Sequence, residues 1–159
     1  GAPLIVGGNF SAQTNTPSKA EVFNQKARNA EIASLNDKLK NKRFHEVIRR
    51  INELTAKNFL DNRFHLLLAI AYDGLGKYDD VIYSAGQAIA VAPQDPRAYN
   101  LRAEAYLRLQ NYERARIDVD AALKLNPSSR MAQRIQKELN EKKTKKKLKR
   151  QRLNILSGK

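Results

Sequence analysis

The sequence predicts an all-α chain, an α-solenoid of three helix-turn-helix repeats with a C-terminal capping helix. Three observations carry that prediction. Matched residues recur every 34 positions. Within each unit two runs place apolar residues at helical spacing. Turn-like "NKR", "LGK" and "LQN" interrupt the runs at equivalent points, and prolines close the second and third units.

Six columns are in register. They are Leu35, Ala69 and Ala103; Lys38, Tyr72 and Tyr106; Phe44, Tyr78 and Tyr112; Val47, Val81 and Ala115; Leu54, Ala88 and Ala122; and Phe59, Pro93 and Pro127. One aligned aromatic pair would be coincidence, but six columns over three copies define a repeat.

Taken in order, residues 1–17 are rich in Gly, Asn, Thr, Ser and Gln without a period, and are expected to form a flexible leader. "SKAE" then sets Ser18 and Glu21 at capping-box spacing, so a long opening helix should start there. Phe23, Ala27 and Ala30 are expected to give it an inner face. The repeat domain spans 18–139, with units at about 28–61, 62–95 and 96–129. In the third unit, Tyr99, Ala103, Tyr106 and Leu107 form one stripe, and Tyr112, Ala115, Val119, Ala122 and Leu123 the next. Pro127 ends the unit, because it cannot continue a helix and disfavours helical geometry at Asn126. Met131, Ile135 and Leu139 recur at i, i+4, i+8, which predicts a cap helix over 130–139. Residues 140–159 are a basic helical extension or a disordered tail.

These columns resemble the tetratricopeptide repeat, from about residue 28 to 129. Small residues at Ala69, Ala103, Ala88 and Ala122, aromatics at Tyr72 and Tyr106, Val81 and Ala115, and the closing Pro93 and Pro127 stand where that family's pattern places them. The first unit departs from it at Leu35, Lys38, Leu54 and Phe59, as an end repeat can, since it lacks one neighbour. The third unit and the basic helix after it look like those of immunophilins and other co-chaperones that carry this repeat. The resemblance implies a non-enzymatic scaffold or adaptor that binds a peptide or helix of a partner protein in a concave groove.

The family's groove positions fall at Asn29, Ile32, Asn36 and Lys40; at Arg63, Leu66, Leu67, Ile70 and Asp73; and at Arg97, Asn100, Leu101, Glu104 and Arg108. An aliphatic floor between basic edges at Arg63 and Arg97 suits apolar anchors with acidic character. The same leucines could instead pack between units, and helical period alone does not separate the two readings. One subgroup of the family grips the C-terminal carboxylate of heat-shock chaperones through five polar residues. Their positions are Ile32, Asn36, Leu67, Arg97 and Leu101, and only Asn36 and Arg97 can donate to a carboxylate. A co-chaperone role therefore stands as the alternative, with most of its clamp absent.

Composition excludes several chemistries. The 159 residues contain no Cys, so disulfides, thiolate metal sites and Cys nucleophiles are absent. No apolar run approaches the roughly 20 residues of a membrane span. His45 and His65 are not at ligand spacing. "GLGK" at 74–77 lacks the remaining Gly spacing and the Ser/Thr of a phosphate loop, so it is expected to be a turn. Asp118 and Asp120, at i, i+2, face different sides of a helix. No catalytic residue, cofactor, metal or small-molecule substrate is expected.

The net charge of +14 is concentrated at one end. Residues 131–159 hold eleven Lys/Arg against Glu138 and Glu141, which leaves +9 there and +5 elsewhere. "KKTKKKLKRQRLNIL", at 142–156, contains Lys142, Lys143, Lys145, Lys146, Lys147, Lys149, Arg150 and Arg152 and no acid. Such a tail could add weak, non-specific nucleic-acid contact, or importin contact through "KKKLKR" and so a nuclear as well as a cytoplasmic location. Its scattered leucines also permit a calmodulin-type or anionic-membrane contact. It could equally be a solvated helix extension.

Overall fold

A computed structural model describes residues 16–158. The expected leader lies, up to residue 15, outside the described residues. Seven helices form among those described: α1 (Lys19–Lys40), α2 (Phe44–Ala56), α3 (Phe64–Gly74), α4 (Tyr78–Val91), α5 (Pro96–Arg108), α6 (Tyr112–Leu125) and α7 (Arg130–Leu156). They pack as consecutive antiparallel pairs, each pair lying on the next, and α7 packs against α5 and α6. The architecture is the predicted all-α solenoid.

Two kinds of helix end alternate, and the sequence accounts for both. Within each pair the chain reverses at one left-handed residue: Lys42 (φ 57°), Gly76 (φ 69°) and Gln110 (φ 60°), spaced by 34. The next N–H then donates to a carbonyl five residues back, Arg43 to Lys38 (2.9 Å), Lys77 to Tyr72 (3.0 Å) and Asn111 to Tyr106 (2.8 Å). This is the Schellman ending, which satisfies carbonyls the helix leaves free. Between units, α4 and α6 end in extended residues before proline, at Ala92 (φ −143°) and Asn126 (φ −142°). The first unit has no proline. There Asn58 takes the left-handed turn (φ 58°) and the Phe59 N–H donates to the Leu54 carbonyl (2.9 Å), so Phe59 replaces Pro without losing the stop.

Four helix starts, those of α1, α5, α6 and α7, are capped by side chains. Ser18 and Glu21 form the reciprocal capping box of α1, with bonds of 2.6 and 3.2 Å. Asp95 caps α5 ahead of Pro96, Asn111 caps α6, and Ser129 caps α7.

The core changes character along the array. Around α2 it is made of large residues, Leu35, Val47, Ile51, Leu54, Phe64 and Leu67. Between the second and third units it is mainly alanine, at 69, 85, 88, 98 and 105. The last layer joins Ala103, Leu107, Ala115 and Val119 to Ile135 and Leu139 of α7. Small residues let the later helix backbones approach, and Leu35 and Leu54 fill the corresponding space in the first pair. Gly74 permits one further close approach. A Cβ there would lie 2.3 Å from the Phe44 ring, so the first unit's aromatic seats against bare backbone at the end of α3.

The inner face expected for the start of α1 is not formed. Phe23 is 71% exposed, Ala30 is exposed and Ala27 is half-buried; Leu35 is the buried residue of this helix. The cause is length. The Arg28 guanidinium lies 4.7 Å over the Phe59 ring, past the end of α2. The turns of α1 before that point have no antiparallel partner.

Asp118 is buried. Its oxygens accept from Arg102 Nε (2.8 Å) and Nη2 (2.9 Å), a two-pronged pair between α5 and α6. That bond holds the Arg102 guanidinium above its ordinary pKa. Gly86 on α4 borders the pair, and a Cβ there would make only ordinary contact, 3.6 Å from Arg102 Nη1.

Removing one partner of a buried pair costs more than replacing both, so Arg102→Ala should lose about 3 kcal/mol in a urea melt. The double change Arg102→Met with Asp118→Leu should recover most of that loss; equal losses would show that the pair only fills space. Gln110→Gly should relieve the left-handed backbone, adding about 0.5–1 kcal/mol and raising Tm by about 1–4 °C. A lower Tm in a thermal melt would show that the Gln110 side chain, not the backbone, holds that turn.

Candidate partner-binding groove

The first helices of the pairs, α1, α3 and α5, share one face of the array, and α7 continues it. A cavity of about 190 Å³ opens between α1, α3 and α5 and the end of α4. Of the expected groove residues, Ile32, Asn36, Arg63, Leu66, Leu67, Ile70 and Arg97 surround it. Asn62, Ala88, Val91, Ala92, Asp95 and Ala98 complete its wall. All but Ala98, a buried residue of α5, were missed because a rule that counts first-helix positions passes over α4 and the connecting turns.

The expected residues differ in depth and in what they bond. Leu67 is 4% exposed and Leu101 8%, so both belong chiefly to the core, whereas Ile32, Leu66 and Ile70 are half-buried and reachable. Lys40 is exposed at the end of α1, apart from the cavity. Asn29 accepts from Arg63 Nη1 (2.9 Å). Asn100 donates to Ser129 Oγ (3.1 Å), tying α5 to the cap of α7, and its Oδ1 is buried without a partner.

The basic edges are paired within the fold. Asp61 holds Arg63 through Nε (2.9 Å) and Nη2 (2.8 Å). Asp95 holds Arg97 in the same way, with Nη2 at 2.6 Å. The D-x-R spacing recurs after 34 residues, and that was the available signal. Hydrogen bonds from the arginines lower the pKa of both aspartates. Nη1 of Arg97 makes no hydrogen bond among the described residues, and that side chain is 69% exposed.

Further along the face, Glu104 and Arg108 join α7. Arg108 bonds Glu104 (3.0 Å) and Glu138 (3.3 Å), and Arg134 bonds Glu104 (3.1 Å). Asp73 looks onto this network from α3. Burial pushes its carboxyl above the ordinary aspartate range, Glu104 adds to the rise, and Arg134 and Arg108 oppose it. The tail residues Lys142, Lys143, Lys145, Lys146, Lys147, Lys149, Arg150 and Arg152 are exposed on α7, outside the groove. His45 is exposed on α2 and His65 half-buried on α3. The 74–77 segment is the α3–α4 turn.

Paired helices with a shared inner face define a helical-repeat domain. Residues 66–130 match the family model described as tetratricopeptide repeat, which covers the second and third units. That segment carries tetratricopeptide repeats. No curated protein matches it. Its fold is similar to the Arabidopsis OM64 TPR domain, at 22% identity and TM-score 0.67, covering 74% of this chain and 98% of that one. It is also similar to the first TPR of Spaghetti (RPAP3) bound to the HSP90 peptide SRMEEVD, at 22% identity and TM-score 0.64, over 70% and 89%. The Yersinia enterocolitica type III secretion translocator chaperone SycD matches at 19% identity and TM-score 0.65, over 86% and 92%. Among the described residues no helix is long and apolar enough to cross a membrane.

The Asp73 carboxyl supplies a pH-dependent test. A raised folded-state pKa means that ionised Asp73 opposes folding at neutral pH. That penalty disappears once the pH falls below the ordinary aspartate range, where both states are protonated. Asp73→Asn should therefore raise Tm at pH 7 and leave it unchanged near pH 3. An equal gain at both pH values would assign the effect to packing.

Proposed function

We propose that the chain is a non-catalytic interaction module, a scaffold or adaptor, that takes a short peptide or helix of a partner protein into the cavity between α1, α3 and α5. The carrying observation is the accessible apolar floor of Ile32, Leu66 and Ile70 beside the one-sided Arg97–Asp95 pair. An apolar anchor fits that floor. A ligand carboxylate can accept from Arg97 Nη1 while Asp95 keeps the guanidinium in place. The RPAP3 neighbour, which holds a peptide, lends support to a peptide ligand.

A co-chaperone role through a terminal carboxylate is disfavoured by the same side chains. Ile32, Leu67 and Leu101 have no hydrogen to donate, and Leu67 and Leu101 are largely buried. The ligand read in this cavity is therefore an internal apolar-acidic segment rather than a chain terminus.

A displayed peptide library panned on the protein tests this. Enriched peptides should pair an apolar residue with Asp or Glu, and amidating their C-termini should leave affinity unchanged. Leu66→Gln and Arg97→Ala should each weaken binding about tenfold, about 1.4 kcal/mol, with the circular dichroism spectrum unaltered. Undiminished binding by both variants would remove the ligand from this cavity. Loss of binding on amidation would restore the terminal-carboxylate reading.

A further inference from the structure

We infer that the projecting part of α7, residues 143–152, is a site for double-stranded DNA, with the helix seated in the major groove and its cations against both phosphate walls. Presentation is the first argument. Ile135 and Leu139 seat α7 on the array, and from Asn140 onward every described residue is exposed. Lys142 still lies near the body, its Nζ 6.0 Å from the Tyr112 ring centroid. Beyond it α7 continues to Leu156 without Gly or Pro, so its direction is set by the solenoid.

Charge density is the second argument. Lys143, Lys145, Lys146, Lys147, Lys149, Arg150 and Arg152 form no ion pair among the described residues, and no acid follows Glu141. At 1.5 Å per residue they place one positive charge about every 2 Å along the axis. Duplex DNA carries one negative charge about every 1.7 Å.

The distribution around the helix chooses between polyanions. At about 100° per residue, these seven cations cover an arc of about 220°. The remaining strip holds Thr144, Leu148, Gln151 and Ile155. A bilayer meets one face of a helix and needs an apolar stripe there. Leu153 and Leu156 lie within the cationic arc, so they cannot enter a bilayer together with Leu148 and Ile155. A groove has two walls and a floor, and it meets a wide arc while the uncharged strip faces out of its mouth. The major groove of B-DNA, about 12 Å wide, admits a helix. The A-form RNA groove is narrow, and single strands want aromatic stacking that residues 140–158 do not offer.

Phosphates would also relieve the tail itself. Like charges at i, i+3 and i, i+4, as in Lys143–Lys147, Lys146–Arg150 and Lys145–Lys149, oppose the helix that carries them.

The test uses the full chain and a labelled mixed-sequence DNA duplex of about 20 bp, titrated between about 50 and 200 mM salt. Binding should weaken about 10³-fold over that range, with a log–log slope toward about −6 if all seven cations engage. Two cluster variants probe the arc: K143Q/K146Q/K147Q/R150Q, and K145Q/K149Q/R152Q. Each should flatten the slope, by about 3–4 and about 2–3 respectively. Together they should abolish binding, with the thermal melt of the body unchanged. Duplex should raise tail helicity in circular dichroism. The proposal is overturned if the seven-site variant binds undiminished, or if only one cluster matters. It is equally overturned if a single strand, an RNA duplex, polyglutamate or phosphatidylserine vesicles bind as tightly as the DNA duplex.

Discussion

At residues 42, 76 and 110 the backbone turns left-handed, and the N–H of the next residue reaches the carbonyl five residues back. The rest of the array depends on that hydrogen bond. It returns the second helix of each pair antiparallel to the first at a fixed offset. The aromatic column at Phe44, Tyr78 and Tyr112 therefore begins every second helix beside the end of its partner. Lys, Gly and Gln occupy the turn in the three units, so no one side chain is required. What repeats is the 34-residue spacing of the turn and the placement of apolar residues on either side.

Given that offset, side-chain volume decides how each pair closes. The alanine columns of the second and third units let backbones approach until the arginine–aspartate pair between α5 and α6 can be buried. The first pair, packed with leucine and phenylalanine, fills its space by bulk. Its largest polar link, Arg50 with Glu31, stays half-exposed. The cavity lies between these two regimes, where α1 with large residues meets α3 and α5 with smaller ones. Its floor is thus a consequence of the degenerate first repeat and not of groove residues alone.

The repeat made the fold legible, because six columns at one period define helix pairs before any contact is known. The site was legible only in part. Helical period places a residue on a face, but it does not say how deep in that face the residue sits, and so Leu67 and Leu101 could not be separated from Leu66 and Ile70. Pairing across one turn of backbone was also hidden. The sequence sets Asp61 and Asp95 two residues before Arg63 and Arg97, but only the fold brings their oxygens onto the guanidinium groups. Phe23 misled for a different reason. Amphipathic spacing predicts a buried face only where a second helix exists to bury it, and α2 ends before that level.

The two ends of the chain use different cations for a physical reason. In the body, arginines at 50, 63, 97, 102, 108 and 134 each hold a carboxylate, and four of them span two helices. The planar guanidinium suits such fixed, two-pronged contacts. In the tail six of the eight cations are lysine, and past Lys142 none has a partner within the fold. An ammonium on a flexible stem is a mobile point charge that tolerates many geometries. Charges pinned in pairs contribute little field at the groove mouth, which leaves its shape and the few free donors, such as Arg97 Nη1, as its distinguishing features. Unpaired lysines on a projecting helix do the reverse. They attract over about a Debye length, roughly 8–10 Å, and weaken as salt rises. Paired and unpaired cations therefore sit on separate parts of the chain, and α7 is joined to the last repeat by Ile135 and Leu139 and by the pairs Arg108–Glu138 and Arg134–Glu104.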